Sequence, residues 1–470
     1  MAEKLCADEL RFSINMISSS SLLSNPFLMH LAHMKSLISS IVLLKLAALT
    51  MFGQSLSFGP LLGHVDMRTA YIMIQSDRAE NVSLRYYPAN LPEQYQKLSA
   101  RTSNDLHHTH RFVLSNLQPG TQYHYQISNE HSKGQFGPTY TFTTQTLWQY
   151  RTDPPSLRVV AGSCAFINET AYDRPGNAHG GNYHIFDSIV AHDPDMMLWL
   201  GDNIYLREVD YGSPEGIAWR YQHARQVPEI QHVLAACPNY AIWDDHDFGP
   251  NDSNGSYALK DASLQAFESY WANPSYGTTE TDGIFTSFQM GDIDFFLLDN
   301  RFHRTPADLK GLDTPTLLGE AQLKWLIEAL KTSKAPFKMI ALGGQFLNTF
   351  AGFENYATYA AERQKIIDLI EINEIKNVVF LTGDRHCGEL SALTLKNGIT
   401  IYDLTTSPLT SRSYDIGKEE NLLRMDGTLV PTQHFAILDF AGKFKERSLT
   451  ISIKDAEGKV HYTRTIKSVL

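Results

Sequence analysis

The chain has 470 residues, of which 43% are hydrophobic and 19% charged, a composition typical of globular domains and too apolar for a disordered chain. Its net charge of −11 argues against a nucleic acid or an acidic membrane as a partner bound through a general basic surface. Four cysteines are too few for a disulfide scaffold, and they show no close zinc-type spacing. An anionic substrate would therefore need local attraction, which bound cations would supply.

The first segment with a recognisable pattern is Met34–Ser55, which resembles a secretory signal peptide. One basic residue, Lys35, precedes a largely apolar run over 37–52, and small and polar residues follow. Lys45 interrupts this run, which is also too short for a permanent transmembrane helix, and no other stretch is long and apolar enough to span a bilayer. We therefore predict that residues 1–56 are an N-terminal extension containing a signal peptide. The product would be periplasmic, cell-surface or extracellular, with a membrane-tethered or cytoplasmic location as the alternative.

Residues 57–150 are predicted to form a small all-β domain. The segments 68–77 and 81–88 are rich in β-branched and aromatic residues and are separated by turn residues. Within 112–127, a Pro-Gly turn followed by alternating tyrosines is typical of the tyrosine corner of a fibronectin-III or immunoglobulin-like sandwich. The segment 148–156 is polar and contains two consecutive prolines, which is typical of a linker.

From residue 157 onward, short apolar runs alternate with segments of helical period such as 319–333 and 357–375. This alternation predicts a mainly buried β-sheet with helices on its faces. The β-rich tail, 434–469, would complete a sheet. The fold class predicted for residues 157–470 is therefore α/β, in an α+β sandwich arrangement.

Polar side chains follow five of the apolar runs, at the point where each run ends. The five sets are Ser163-Cys164, Gly201-Asp202-Asn203-Ile204-Tyr205, Asp244-Asp245-His246-Asp247, Gly343-Gly344-Gln345 and Gly383-Asp384-Arg385-His386. Ligands bind outside the carboxyl ends of strands in open α/β sheets, so we expect these sets to converge. Each alone has an ordinary explanation as a turn, a small buried residue or a solvated loop. Their joint occurrence indicates a metal site, because crowded carboxylates repel one another unless a cation lies among them.

The ordered motifs GSC, GDNIY, WDDHD, GGQ and TGDRH resemble those of the alkaline phosphatase D (PhoD-like) family, over residues 157 to about 455. The resemblance implies the calcineurin-like metallophosphatase fold, related to the purple acid phosphatases, with a β-sheet core flanked by helices. The preceding β-sandwich is similar to the N-terminal domain that these enzymes carry. The resemblance also implies a phosphoric ester hydrolase, either a phosphatase or a phosphodiesterase.

The resemblance further implies metal ligands at eight positions, Cys164, Asp202, Tyr205, Asp245, Asn251, Gln345, Asp384 and His386. Asp202 would bridge two metals. Cys164, Tyr205 and His386 would complete the first site, and the second would comprise Asp245 and Asp384, with Gln345 as a further candidate. Asn251 would face an additional calcium site, although the sequence "PND" departs from the expected pair of asparagines.

The ligand types indicate which metals to expect. Thiolate, phenolate and imidazole suit iron(III), whereas carboxylate and carboxamide oxygens suit calcium or another hard cation. The expected cofactors are therefore Fe³⁺ and Ca²⁺, with a dinuclear Mn²⁺ or Zn²⁺ site as the alternative. The expected nucleophile is a metal-bound hydroxide or oxide that attacks phosphorus in line.

Four further residues are candidates for catalysis and substrate binding. The resemblance places His246 on the substrate side, where it would stabilise charge or protonate the leaving oxygen. Arg385 would grip the phosphate, as would Arg301 and Arg304, but each arginine could instead pair with local carboxylates.

Three functions are compatible with these features. The first is a secreted phosphatase or phosphodiesterase acting on a small-molecule phosphate ester. The second is a phospholipase D-like hydrolase of the same fold that acts on phospholipid head groups. The third is a non-catalytic binding protein whose β-sandwich is the working surface, and the complete ligand set argues against it.

Overall fold

The computed structural model describes residues 56–132, 134–311 and 314–469, apart from the side chain of Leu106. The predicted signal peptide, Met34–Ser55, lies outside these residues. None of the helices within the described ranges has the length and hydropathy that crossing a bilayer requires.

The strands of the described residues are numbered in chain order. They are β1 (Leu56–Val65), β2 (Ala70–Ser76), β3 (Asn81–Pro88), β4 (Gln96–Arg101), β5 (Thr109–Leu114), β6 (Gln122–Asn129), β7 (Tyr140–Thr143), β8 (Leu157–Gly162), β9 (Met196–Leu200), β10 (Asn239–Ile242), β11 (Thr286–Met290), β12 (Ile293–Leu297), β13 (Lys338–Leu342), β14 (Val378–Thr382), β15 (Glu389–Thr394), β16 (Thr400–Thr405), β17 (Phe435–Ala441), β18 (Ser448–Lys454) and β19 (Val460–Lys467). The α-helices are α1 (His184–Val190), α2 (Pro214–Arg225), α3 (Pro228–Ala236), α4 (Asp245–Phe248), α5 (Lys260–Tyr270), α6 (Glu320–Thr332) and α7 (Ala360–Ile372).

The N-terminal strands form two antiparallel sheets, ordered β1-β2-β5 and β4-β3-β6-β7. Their inner faces share one apolar core that includes Ile72, Leu84 and Tyr125. The backbone N–H of Gln118 donates to the hydroxyl of Tyr123 at 2.9 Å, which is the hydrogen bond of a tyrosine corner. The prediction of an all-β N-terminal domain is confirmed.

From residue 157 onward, the described residues form two six-stranded mixed sheets, where the apolar runs had indicated one. Their strand orders are β10-β9-β8-β17-β18-β19 and β11-β12-β13-β14-β16-β15. Within the first sheet β8, β9 and β10 are parallel, and within the second β12, β13, β14 and β16 are parallel. The α/β prediction is confirmed, and the helices and strands predicted along this part of the chain occur close to their expected positions.

The inner strands β13 and β14 of the second sheet are buried on both faces, which explains why they appear in the sequence as continuous apolar runs. On β12 and β13, Phe295 and Met339 join the core that also contains Val160 of the first sheet. Their neighbours Phe296 and Ile340 join a separate core with α6 and α7. Two sheets are therefore packed together, with α6 and α7 outside the second, while α1, α2 and α3 contribute to the core that contains the first. The parallel strands of both sheets end near one another.

The N-terminal domain packs directly against the first six-stranded sheet. Its residues Phe58 and Leu61 belong to the same core as β8 and β9. The backbone N–H of His64 donates to the carbonyl of Ala272 at 2.9 Å, and its ring hydrogen-bonds the hydroxyl of Tyr240, on β10, at 3.0 Å. The hydrogen bond to Tyr240 links the N-terminal domain to β10, the strand that precedes Asp244 and Asp245.

Candidate metal centre

The turns that follow β8, β9 and β14 bend the chain sharply at the expected ligand positions. Cys164, Asp202, Asp384 and His386 all have left-handed backbone conformations, with φ between 51° and 67°. Such conformations cost non-glycine residues about 1–3 kcal/mol each and cluster at functional sites. The turns are also tied together, since the backbone N–H of Cys164 donates to the carbonyl of Gly201 at 3.3 Å.

The expected iron ligands lie in one buried cluster. The Sγ of Cys164 is 3.5 Å from Oδ2 of Asp202, and the Tyr205 hydroxyl is 3.1 Å from Nε2 of His386. One ligand atom each of Cys164, Asp202 and His386 lies within 4.8 Å of the others. Ser407 contributes a supporting hydrogen bond, because its hydroxyl donates to Cys164 Sγ at 3.1 Å.

A second group of acidic side chains adjoins this cluster. Ligand atoms of Asp202, Asp245 and His246 lie within 4.8 Å of one another, as do those of Asp244, Asp245 and Asp384. Because Asp202 belongs to both clusters, it is placed as a bridging ligand would be.

Several buried polar atoms of these side chains have no hydrogen-bond partner. They are Oδ1 of Asp202, Oδ2 of Asp244 and Oδ1 of Asp245. Buried polar atoms are normally paired, so three unpaired carboxylate oxygens in one place require a partner of another kind. Oxygen, nitrogen and sulfur donors together suit metal cations, and the residues present therefore fit a site for more than one cation.

The electrostatics of the cluster also call for positive charge. Burial and then the neighbouring carboxylates raise the pKa of Asp202 and of Asp384 well above the ordinary value. Burial and the charge of Asp202 likewise raise the pKa of the Cys164 thiol and the Tyr205 hydroxyl. A cation reverses these shifts, because it stabilises the deprotonated form of every ligand.

His386 and Asp245 depart from this pattern. Burial lowers the pKa of His386 to about 4, so its imidazole is neutral at neutral pH, the form that binds metals. Burial would raise the pKa of Asp245, but the positive charges of His246 and Arg301 outweigh it and lower that pKa below its ordinary value.

Asp247 has a structural role in the same turn. Its carboxylate accepts hydrogen bonds from the backbone N–H of Asn203 and of Asp244, each at 3.0 Å, and from the side-chain amide of Asn203. Burial raises its pKa to about 8. Asp247 thus holds the turn after β9 against the turn after β10 and keeps Asp202 beside Asp245.

Two of the eight predicted ligands are placed differently from the others. Gln345 is buried, but its Oε1 accepts from Asn348 at 2.7 Å and from Arg385 at 3.2 Å, while its amide donates to Glu389 at 2.6 Å. Its side chain is therefore already hydrogen-bonded, and its role as a ligand stays a prediction. Asn251 is exposed and lines the pocket described below.

The predicted substrate-binding arginines Arg301 and Arg304 lie beneath the site. Arg301 is 1% exposed, and it pairs with Asp244 and, at 2.9 Å, with Oε2 of Glu354. Arg304 pairs with the other oxygen of Glu354 and donates to the Tyr359 hydroxyl at 2.9 Å. Neither lines the pocket, so the geometry favours the alternative that they pair with local carboxylates.

Arg385 and His246 do line the pocket, a cavity of about 1150 Å³ into which the cluster opens. The guanidinium of Arg385 is held by Glu419, at 2.6 Å from Oε2 and 3.1 Å from Oε1. The His246 side chain is 24% exposed, and its ring lies 4.3 Å from that of Tyr205, centroid to centroid. Both residues are therefore placed where substrate would meet the cluster.

Sequence reasoning missed several residues of this pocket. His179, whose ring is 5.9 Å from that of His386, comes from a loop rich in Pro, Gly and Asn, where no strand end marks a position. Arg412 and Tyr414 come from another loop and also line the pocket. No periodic pattern identifies such residues.

A further acidic group was also missed. Ligand atoms of Asp245, Asp252 and Glu354 lie within 4.8 Å of one another. The one sequence signal for Glu354 was indirect, since the arginine pair Arg301 and Arg304 requires a buried acidic partner.

Comparison with known proteins agrees with this geometry. The sequence model of the PhoD-like phosphatases matches residues 160–448, which is more than half of the chain. This chain belongs to the PhoD-like phosphatase family. A second family model, that of the purple acid phosphatase N-terminal domain, matches residues 66–144. The recognition made from the strand-end motifs is confirmed, and the expected enzyme class, a phosphoric ester hydrolase, is that of this family of phosphatases.

The relatives found include alkaline phosphatase D of Bacillus subtilis (strain 168), which is 24% identical over 340 residues. That alignment covers 61% of this chain and 55% of the relative, so the match spans about half of the relative's length. Among solved structures, one of PhoD has a TM-score of 0.69 at 18% identity, covering 88% of this chain and 92% of that one. A purple acid phosphatase from yellow lupin (Lupinus luteus) seeds has a TM-score of 0.62 at 14% identity, covering 87% and 74%. These similarities confirm the predicted fold.

Proposed function

We propose that this PhoD-like protein is an exported, metal-dependent phosphoric ester hydrolase that acts on small-molecule phosphate monoesters or diesters. The observation that carries the proposal is the buried cluster of thiol, phenol, imidazole and carboxyl groups that opens into a pocket beside Arg385. Family membership supports the reaction class. Export rests on the signal-like pattern of Met34–Ser55, and we retain 57–150 and 157–470 as the domain boundaries.

We assign Fe³⁺ to the side of the cluster formed by Cys164, Asp202, Tyr205 and His386. Asp245 and Asp384, with Asp202 shared, form an oxygen-rich side that suits Ca²⁺. The unpaired Oδ1 atoms of Asp202 and Asp245 support this assignment. When bound, the cations supply Lewis acidity that polarises a phosphoryl oxygen and activates the attacking oxygen.

Side chains of the protein bind the substrate and stabilise the negative charge on its phosphoryl and leaving oxygens. Arg385, fixed by Glu419, offers a positive guanidinium to the phosphoryl oxygens. His246 is within reach of the pocket and would donate a hydrogen bond or a proton to the leaving oxygen. Asp247 accepts hydrogen bonds from both turns and so keeps the turn that carries Asp202 next to the turn that carries Asp245.

The reaction is tested by assaying the purified holoprotein on an aryl phosphate monoester and an aryl diester. Asp202→Ala removes the shared carboxylate, and we expect kcat/KM to fall by roughly 1000-fold or more, since several kcal/mol of charge stabilisation would be lost. Asp368→Ala, at an exposed position on α7, is the matched control and should retain activity. Full activity in Asp202→Ala, or in protein stripped of metal, would contradict the proposal.

The metal assignment is tested separately by elemental analysis and a visible absorption spectrum. Thiolate and phenolate bound to iron(III) should give a coloured protein, and Tyr205→Phe and Cys164→Ser should each shift or remove the absorption band. A colourless, iron-free and active protein would reject iron while leaving the hydrolase proposal in place.

A further inference from the structure

The pocket is larger than its phosphate-binding end requires. Its volume of about 1150 Å³ exceeds the roughly 300–1000 Å³ of ordinary small-molecule sites. The cluster and Arg385 account for the recognition of the phosphoryl group. The remaining walls must therefore face the organic part of the ester.

Tyr414 forms one of these walls. Its ring is stacked on the imidazole of His386, with centroids 5.4 Å apart and planes inclined by 5°. The backbone N–H of Tyr414 donates to the carbonyl of His386 at 2.9 Å, which fixes the ring beside the cluster. The residue is nevertheless 50% exposed, so the ring retains a surface that can contact a ligand.

Phe353 forms a second wall. Its ring lies over the guanidinium of Arg385, at 4.9 Å from the ring centroid. It is 70% exposed and has a φ of 47°, a backbone conformation that bulky residues rarely adopt. Its ring also stacks on that of Phe350, with centroids 6.0 Å apart, but most of Phe353 stays exposed, so the ring retains a surface that can contact a ligand.

The two rings are supported by consecutive residues, Arg385 and His386, at the phosphoryl end of the pocket. We propose that Tyr414 and Phe353 form an aromatic subsite that binds a flat aromatic group in the alcohol part of the phosphate ester. This inference rests on the proposed function and deepens it by naming the substrate class. Aromatic rings attract each other in offset or edge-to-face arrangements, and the interaction exceeds what the buried area alone gives. A methyl or other small alkyl group offers the rings no such partner.

The subsite is tested by calorimetric binding of two non-hydrolysable probes, phenylphosphonate and methylphosphonate, to the metal-loaded protein. Both carry the same anionic head, so the contribution of the organic group is isolated by one ratio, the dissociation constant of methylphosphonate divided by that of phenylphosphonate. The wild type should bind phenylphosphonate more tightly. Tyr414→Ala and Phe353→Ala should each reduce the ratio by about two- to tenfold, the range expected for one aromatic pair.

Two controls separate the ring from other effects. Tyr414→Phe keeps the aromatic face and should keep the ratio. Tyr95→Ala removes a comparably exposed tyrosine (58%) from the N-terminal domain and should also leave it unchanged.

The outcomes distinguish this inference from the function on which it rests. A ratio near one in the wild type, or a ratio that neither alanine variant changes, overturns the aromatic subsite while hydrolysis can still be present. Phenyl-selective binding without any ester hydrolysis overturns the proposed function and leaves the subsite. A wild type that binds neither phosphonate contradicts both.

Discussion

Arg301 and Arg385 both pair with glutamate, but only one of them faces the pocket. Arg301 is enclosed by Asp244 and Glu354, and its Nη1 donates to the carbonyl of Ser253 at 3.1 Å. Arg385 is held by Glu419 and lines the cavity. The sequence predicts the same two alternatives for both arginines, gripping the phosphate or pairing with local carboxylates, and it cannot choose between them because the pairing depends on glutamates from distant loops.

Because of this difference, we expect removal of the Arg301 guanidinium to lower mainly the stability, and removal of the Arg385 guanidinium to lower mainly the activity. Arg301→Met removes the buried cation that pairs with Asp244, while Glu354 keeps Arg304, and we expect the free energy of unfolding to fall by roughly 3 kcal/mol or more. Arg385→Met should mainly lower kcat/KM, by about 100-fold, because a donor to the phosphoryl group is lost. Thermal unfolding and steady-state kinetics of both variants check this. An Arg301→Met protein with wild-type stability and a raised KM would restore that arginine as a substrate-binding residue.

His434 predicts a pH dependence of stability. It is fully buried, its Nδ1–H donates to the Thr432 carbonyl at 2.7 Å, and its Nε2 has no partner. Burial lowers its pKa from 6.5 to about 4. Between these values the unfolded chain binds a proton that the folded chain does not, so the free energy of unfolding falls as the pH falls.

From about pH 7.5 to about pH 5, this one group should remove roughly 2 kcal/mol of stability. His434→Gln cannot titrate, so it should lose that much less than the wild type over the same interval. Urea unfolding of both proteins at the two pH values gives the comparison. Parallel losses in the two proteins would show that another group is responsible.

At the scale of elements, the apolar runs predicted the strands. A strand that is buried on both faces carries apolar side chains at consecutive positions instead of alternating apolar and polar ones. The same property concealed the division into two sheets, since Phe295 and Phe296 look alike in sequence although they enter different cores. The strand-end motifs predicted that Cys164, Asp202 and other candidate ligands would lie close together, because each of these residues follows the end of a buried strand. His179 and Glu354 lie in irregular loops, whose course is decided by contacts with distant segments, and they could not be predicted.

Gly201, in the turn between β9 and Asp202, gives a prediction at this scale. Its φ is 89°, and an added Cβ would lie 2.8 Å from the Cβ of Asp244. Gly201→Ala should therefore push the turns of β9 and β10 apart, lowering the metal content and the activity together.

Gly458→Ala is the matched control for this variant. Gly458 has a similar φ of 83° but nothing within 4 Å of an added Cβ, so the substitution carries the backbone strain alone. It should cost about 1 kcal/mol of stability and leave the metal content unchanged. Equal metal contents in the two variants would refute the role assigned to the close approach of Gly201 to Asp244.

At the scale of the whole molecule, the sequence predicted a β-sandwich followed by an α/β region. The β-sandwich was predicted from β-rich segments separated by turns, and the α/β region from apolar runs that alternate with segments of helical period. They did not predict that β1 packs into the core of the first six-stranded sheet. Interfaces between domains depend on which side chains meet in space, and Phe58 and Leu61 read simply as apolar residues of a strand. The contact of His64 with Tyr240 joins this interface to β10, the strand that ends at the candidate metal centre.

This arrangement predicts that the N-terminal domain stabilises the catalytic region rather than acting as an independent module. An added Cβ at Gly63 would lie 2.7 Å from the carbonyl oxygen of Ala272, so Gly63→Val should force the two regions apart. Because the apolar core is shared, we expect a lower melting temperature for a single cooperative transition, together with weaker metal retention. Gly212→Val, at an exposed glycine with nothing within 4 Å of an added Cβ, should leave both unchanged. Two separate calorimetric transitions in Gly63→Val, with the metal-binding one unshifted, would mean that the domains are energetically independent and that β1 only covers the sheet.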